Sequence, residues 1–264
     1  MIRTSGVRPA LLRSCVPALV LALCLTSSPH LRGAFAEAPA PDVALAKSGE
    51  GRGEGLQQNA PARGPQPLVA DFSSPARLER DWTLDGSGVW AIREGVLALE
   101  KAGTPAGAIR RPSALAILRA TPLRDVTVDL ELKSTAPPVA QVPRRDALVI
   151  VGYESPTRFY YVHISAARDA VHNGIFLVDG ADRRRIDTQS EKCILVDAAW
   201  HRVRVVREAT SGRLDVYADD LASPIMSARD TTIASGRVGV GSFDDTAEFR
   251  AVKVEGRAAA GARD

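Results

Sequence analysis

A chain of 264 residues, 45% hydrophobic and 25% charged, is long enough to build one domain with a sizeable core. Its formal net charge of +3 comes from the first 36 residues, which hold four arginines and no acid, so that without them the 34 basic residues fall to 30 against 31 acidic ones. A near-neutral remainder lacks the basic footprint that a nucleic-acid or anionic-membrane partner requires.

Arg3, Arg8 and Arg13 precede an apolar run from about Val16 to Leu25, and Ala34-Phe35-Ala36 follows. That order of charged, apolar and small residues predicts a cleavable secretory signal over 1–36, cut after Ala36, and export to the periplasm or the extracellular space. The apolar run is shorter than the roughly 20 residues of a membrane span. Leu23 stands before Cys24 where a lipoprotein signal wants a small residue. Cys15 and Cys24 leave with the signal, so Cys193 is the one mature cysteine and no internal disulfide can form. Its neighbours Ile194, Leu195 and Val196 mark it as a small buried apolar residue.

From Glu37 to Leu68 the chain is rich in Ala, Pro, Gly and Gln without an apolar period, which predicts a disordered linker over 37–68. A domain over 69–257 follows, with 258–264 as a flexible tail. Trp90 to Ile92 and Val96 to Leu99 flank Arg93-Glu94-Gly95, read as a three-residue hairpin connection. Ala114 to Leu118 is a strand, and in TVDLELK the residues Val126, Val128, Leu130 and Leu132 point inward. Asp129 and Glu131 point outward and read as a solvated face. Ala147 to Val151 is apolar on both faces, as in a central strand covered on both sides or lining a shallow cleft. Short alternating strands, turn signals every eight to twelve residues and no convincing amphipathic helix predict an all-β, two-sheet antiparallel jelly-roll sandwich.

The stretch RFYYVHISAARDAVHNGIFLVDG, residues 158–180, carries the densest aromatic and histidine content. Alternation sends Tyr160, Val162 and Ile164 to the core, and Phe159, Tyr161 and His163 to the other face. On an open sheet face, Tyr and His offer a flat apolar body with a hydrogen-bonding tip, which suits a sugar ring. The candidate ligand-binding residues are therefore Phe159, Tyr161 and His163, with Arg158, His172 and Asn173 at their rim. Nine residues separate His163 from His172, which at ~3.3 Å per strand residue places them roughly 15 Å or more apart. A shared metal is not expected, because its ligands must lie within about 2 Å of it. In Arg183-Arg184-Arg185, alternation puts Arg183 and Arg185 on one face and Arg184 on the other. The triplet reads as a solvated hairpin edge or as a guanidinium pair suited to an acidic polysaccharide.

Residues 199–220, AWHRVRVVREATSGRLDVYADD, resemble the laminin G-like members of the concanavalin A-like lectin/glucanase superfamily. The ending GRVGVGSFDDTAEFRAVKVEG and the entry with Phe72, Trp82, Trp90 and Gly95-Val96-Leu97 are similar to the same group, and in particular to bacterial secreted domains described as 3-keto-disaccharide hydrolase-like. The resemblance implies a concanavalin A-like sandwich that handles carbohydrate. Glucanases of this fold carry a Glu-x-Asp-x-x-Glu strand, which this chain lacks, and related lyases carry Gln-Ile-His where Tyr161-Val162-His163 stands. No catalytic set is identifiable. Similar sandwiches bind calcium near the turn that Asp244 and Asp245 occupy, but Arg250 follows Phe249 where a carboxylate would stand, so neither metal nor cofactor is expected. The reading is an exported module binding carbohydrate on an open sheet face. Its alternatives are a glycan-active enzyme, hydrolase or lyase, on the same face, and a structural or adhesion module. Oligomeric state is left open.

Overall fold

Apolar and polar residues that alternate with a period of two can hide one face and wet the other only as strands. In the computed structural model, residues 67–259 are described. The signal segment 1–36, the linker up to residue 66 and the tail from residue 260 lie outside them. The described elements are β1 (Leu68–Val69), α1 (Ala76–Asp81), β2 (Trp82–Gly86), β3 (Val89–Arg93), β4 (Val96–Lys101), β5 (Ala114–Leu118), β6 (Leu123–Ser134), β7 (Asp146–Ser155) and β8 (Arg158–Ser165). They continue as β9 (Gly174–Asp179), β10 (Arg184–Arg185), β11 (Asp187–Ser190), β12 (His201–Glu208), β13 (Arg213–Ala218), β14 (Met226–Arg229), β15 (Arg237–Ser242) and β16 (Ala247–Ala258).

Two antiparallel sheets result. One runs β11, β14, β13, β12, β6, β16, β4, β3, with β1 also against β16; the other runs β10, β9, β8, β7, β15, β5, β2. Pairs adjacent in space but distant in sequence, such as β6 with β16 and β7 with β15, give the crossovers of a jelly-roll sandwich. Between the sheets lie the inward residues the alternation selects: Val126, Val128, Leu130 and Leu132 from β6, and Tyr160, Val162 and Ile164 from β8. Asp129 and Glu131 face out as predicted, paired with Arg204 and Arg250.

Two local expectations need correction. The β3–β4 hairpin closes through two residues, Glu94 and Gly95, rather than three, and both hold positive φ (51° and 78°), the backbone that lets a tight turn follow the strand twist. Cys193 is only partly buried, and its thiol is pushed up by what burial it has. The one described helix, α1, has six residues and buries none of them fully, contributing only the partly buried Leu78 to the edge of the core.

One end of the core is closed by a polar rivet. The Tyr160 hydroxyl donates to Asp230 Oδ1 at 2.6 Å and accepts the Ile233 N–H at 3.0 Å, while the Arg207 guanidinium lies 4.4 Å over its ring and donates to the Ile233 carbonyl. Burial pushes the Tyr160 hydroxyl up to about 12, so it stays a donor at every ordinary pH. Removing that hydroxyl strands the buried Ile233 N–H. Tyr160→Phe is therefore expected to cost about 1–3 kcal/mol in urea unfolding, with an unchanged m-value.

Candidate functional site

The outer face of the seven-stranded sheet is where the aromatic stretch of β8 arrives. Phe159, Tyr161 and His163 do point away from Tyr160, Val162 and Ile164, as alternation requires. That face is not open. Phe159 and Tyr161 are 0% exposed and His163 is 1% exposed, within a second apolar layer that includes Leu115, Ile117, Leu148, Ile150, Phe176 and Val178. The layer packs as aromatics do, with Tyr161 stacked on Phe176 at 5.1 Å between centroids. Glycines leave it room: a Cβ on Gly239 would come 2.7 Å from Ile117 Cδ1, and one on Gly241 would come 2.6 Å from Leu115 Cδ2.

Three pieces of chain cover the layer. The connection between β4 and β5 spans the sheet: the Arg110 N–H donates to Asp182 Oδ1 at 2.8 Å and the Arg110 carbonyl accepts from the Arg183 N–H at 3.1 Å, at the β9–β10 end. At the β2 end, Arg111 forks onto Asp85 at 2.9 and 2.7 Å, and the Tyr153 hydroxyl donates to the same carboxylate. Phe243, after β15, is the second cover, its N–H held by Asp146 Oδ1. Third, the Arg183 guanidinium lies 4.1 Å over Phe243 and 5.3 Å over Phe176, and donates to the Tyr161 hydroxyl at 3.2 Å. The exposed aromatic platform predicted for Phe159, Tyr161 and His163 is thus overturned by chain folding back from both sheet edges.

The two histidines also correct the sequence geometry. Their ring centroids are 5.3 Å apart instead of 15 Å or more, because the loop after β8 turns back over the strand end. His163 faces the Val171 carbonyl through Nδ1 at 3.0 Å and Asp146 Oδ2 through Nε2 at 3.1 Å. His172 is held by Asp169, with Nδ1 at 2.8 Å from one oxygen. Asn173 is buried and structural: at φ 49° it turns the chain, its Oδ1 accepts the Ser165 N–H, and its amide donates to the Lys192 carbonyl. Arg158 stands at the far end of β8, five strand residues or about 16 Å from His163. There it pairs with Glu154 and Asp179. Of the six predicted ligand residues, only His172 reaches solvent at the place where the polar groups gather.

What gathers there is a rim that sequence reasoning only partly assembled. Arg183 crosses Phe243, and Asp244 is exposed beside it, its carboxyl raised by desolvation and by the charge of Asp146, and lowered in turn by His163, His172 and Arg110. Asp146, Phe243 and Arg110 were missed. The available signals were an acid heading the apolar strand ALVIV and an aromatic set between Ser242 and two acids. Arg183 and Arg185 do share one face, with Arg184 turned to Asp230.

Asp146, Asp244 and Asp245 each bring an oxygen within 4.8 Å of the others, a spacing at which carboxylates can hold a divalent cation. Protein donors already engage two of them: Ser242 Oγ, the Phe243 N–H and His163 on Asp146, and the Asp146 N–H on Asp245 Oδ2 at 3.0 Å. Asp245 pays in charge for that position, since burial first, and then Asp146 and Asp244, push its carboxyl up to about 6. Folding therefore favours its protonated form. The stabilisation this lends is complete below the ordinary value of 3.8 and is lost as pH rises through about 6. Asp245→Asn keeps an oxygen for the Asp146 N–H and removes the charge. It is expected to gain about 1 kcal/mol, or ~2–4 °C in Tm, at pH 7.5, after allowance for solvent screening of a partly exposed group, and nothing at pH 4. Melting both proteins across that range checks it.

Fold and site together define the class as far as architecture goes: the chain is an all-β, two-sheet antiparallel sandwich. No protein-family model matches it and no curated protein does. Among solved structures it is similar to a carbohydrate-binding module, CBM66, from Bacillus subtilis, at 18% identity and TM-score 0.50 over 66% of this chain and 95% of that one. It is also similar to a Bacillus subtilis protein of unknown function with a galectin-like fold, at 13% identity and TM-score 0.49 over 72% and 96%. A winged bean acidic lectin complexed with methyl-alpha-D-galactose aligns at 12% identity and TM-score 0.48 over 72% and 98%. At 18% identity the likeness to the CBM66 structure shows the fold alone.

Proposed function

We propose that the chain is an exported carbohydrate-binding module and that it takes its saccharide at the rim formed by Arg110, His172, Arg183, Phe243 and Asp244. The observation that carries this reading is a guanidinium 4.1 Å over the Phe243 ring with the exposed carboxylate of Asp244 on the next residue of the chain. Sugar hydroxyls donate and accept together, so neighbouring hydroxyls are met by a fixed donor on one side and an open acceptor on the other. Arg183 is held in place by Tyr161, Phe176 and Phe243, so little side-chain freedom remains to be lost on binding. Asp244 has no hydrogen-bond donor on its carboxylate among the described residues. The fold supports the same reading, since the B. subtilis structure it resembles is a carbohydrate-binding module.

A glycan-active enzyme on this face would need its acid or base against the substrate. Tyr161 and His163, the residues the sequence offered for that role, are sealed under the rim, and burial raises the Tyr161 hydroxyl far from a useful range. Export rests on the sequence of residues 1–36.

On a glycan array, Arg183→Ala and Asp244→Asn are each expected to weaken the strongest wild-type signal at least tenfold, with Tm moved by no more than a few degrees for Asp244→Asn. Undiminished binding by both variants would remove the rim from consideration. Chain recovered outside the cytoplasm should begin at Glu37 on N-terminal sequencing.

A further inference from the structure

At the opposite end of β15 from Phe243 and Asp244, six strand residues or roughly 20 Å away, lies a second feature. A groove of about 730 Å³ is lined by Leu68, Thr83, Arg119, Ala120, Thr121, Pro122 and Arg237. Among the described residues no carboxylate lines it. Arg119 donates through Nε to the Trp82 carbonyl at 2.9 Å, and Arg237 donates through Nε to the Ala120 carbonyl at 3.2 Å. Both guanidinium groups are thereby oriented by the backbone, while their terminal nitrogens have no acidic partner among the described residues.

That condition sets them apart from much of this surface. Arg111, Arg204, Arg213 and Arg250 each meet a carboxylate within 3 Å. The acids nearest in sequence to the groove, Asp81 and Asp85, are already engaged, Asp81 by Arg77 and Arg80 and Asp85 by Arg111. A guanidinium fixed at Nε presents its two terminal nitrogens as a planar fork, which matches two oxygens of a carboxylate or sulfate. Two such forks carry two positive charges into one concavity with hydroxyl-bearing Thr83 beside them.

We propose that the Arg119–Arg237 groove is a subsite for an oxyanion borne on a saccharide, a uronate carboxylate or a sulfate ester, distinct from the rim where Arg183 and Asp244 stand. The saccharide part of this assignment rests on the carbohydrate-binding reading above; the oxyanion part rests on the two oriented, unpaired guanidinium groups. A glycan acidic at intervals would engage both places, neutral hydroxyls at the rim and a charged substituent in the groove.

The purified chain is titrated by calorimetry, at fixed ionic strength, with an oligogalacturonate hexamer, a dextran sulfate oligomer, a neutral dextran oligomer and inorganic phosphate. At least one of the two acidic oligomers is expected to bind. Its affinity should fall at least tenfold in the double variant Arg119→Gln/Arg237→Gln, and equally in Thr83→Asp, which leaves both arginines in place and offers them a carboxylate. The neutral glycan selected on the array should bind wild type and both variants alike. Acidic oligomers that bind the double variant as tightly as wild type, or whose binding is lost through Arg183→Ala instead, overturn the groove. So does a response to phosphate alone, which would make the site one for a free anion. If acidic oligomers bind at the groove while no neutral glycan binds at all, the rim reading fails and the groove stands.

Discussion

The seven-stranded sheet is apolar on both faces, and the rest of the structure follows from having to cover both. Its inner face is met by the opposing sheet in the ordinary way of sandwiches. The outer face, with Phe159, Tyr161 and Phe176 at its centre, has no second sheet, so loops must seal it. Leaving three such rings in water would forfeit about 1.5–3 kcal/mol apiece on area grounds, a large part of the margin by which a domain is stable. The β4–β5 connection, Phe243 and Arg183 supply the cover, and each is held by a directional polar contact: Asp182 and Asp85 for the connection, Asp146 for Phe243, the Tyr161 hydroxyl for Arg183.

That cover also explains where the polar groups collect. Loops crossing an apolar layer bring backbone and charged side chains to its edge, where water can still solvate them. Asp146 is the pivot: although almost wholly buried, it receives His163, Ser242 Oγ and the Phe243 N–H, so its charge is compensated by donors. Asp244 and Asp245 share its neighbourhood, where burial first and the charge of Asp146 second raise their carboxyls. The binding chemistry we assign to the rim is thus a by-product of sealing the sheet.

The two proposed contact places differ in kind. At the rim the guanidinium is spent partly on rings and on Tyr161, leaving an edge suited to neutral hydroxyls. In the groove the guanidinium groups lean on carbonyls alone and keep their charge uncompensated. An aromatic platform in the open, the arrangement first suggested by β8, is found at neither.

Strand positions and pleat parity were legible from residues alone. The run 126–133 reads as a strand because alternation leaves no other way to hide its apolar side chains, 114–118 reads as a short apolar strand, and β8 puts Tyr160 inward and Tyr161 outward as its period demands. A clue to the cover was also present: Ala147 to Val151 is apolar on both faces, and Leu115, Ile117 and Phe176 extend that condition to neighbouring strands. A face that apolar cannot be open, so Phe159 and Tyr161 had to be buried with it. What only the tertiary structure decided is which loops do the burying and which charges they carry there. The approach of His172 to His163, the gathering of Asp146 with Asp244 and Asp245 across about 100 residues of chain, and the seating of Arg183 on Phe243 depend on strands paired far apart in sequence. Local periodicity dictates the face on which a side chain emerges; only the closure of distant segments dictates what it meets.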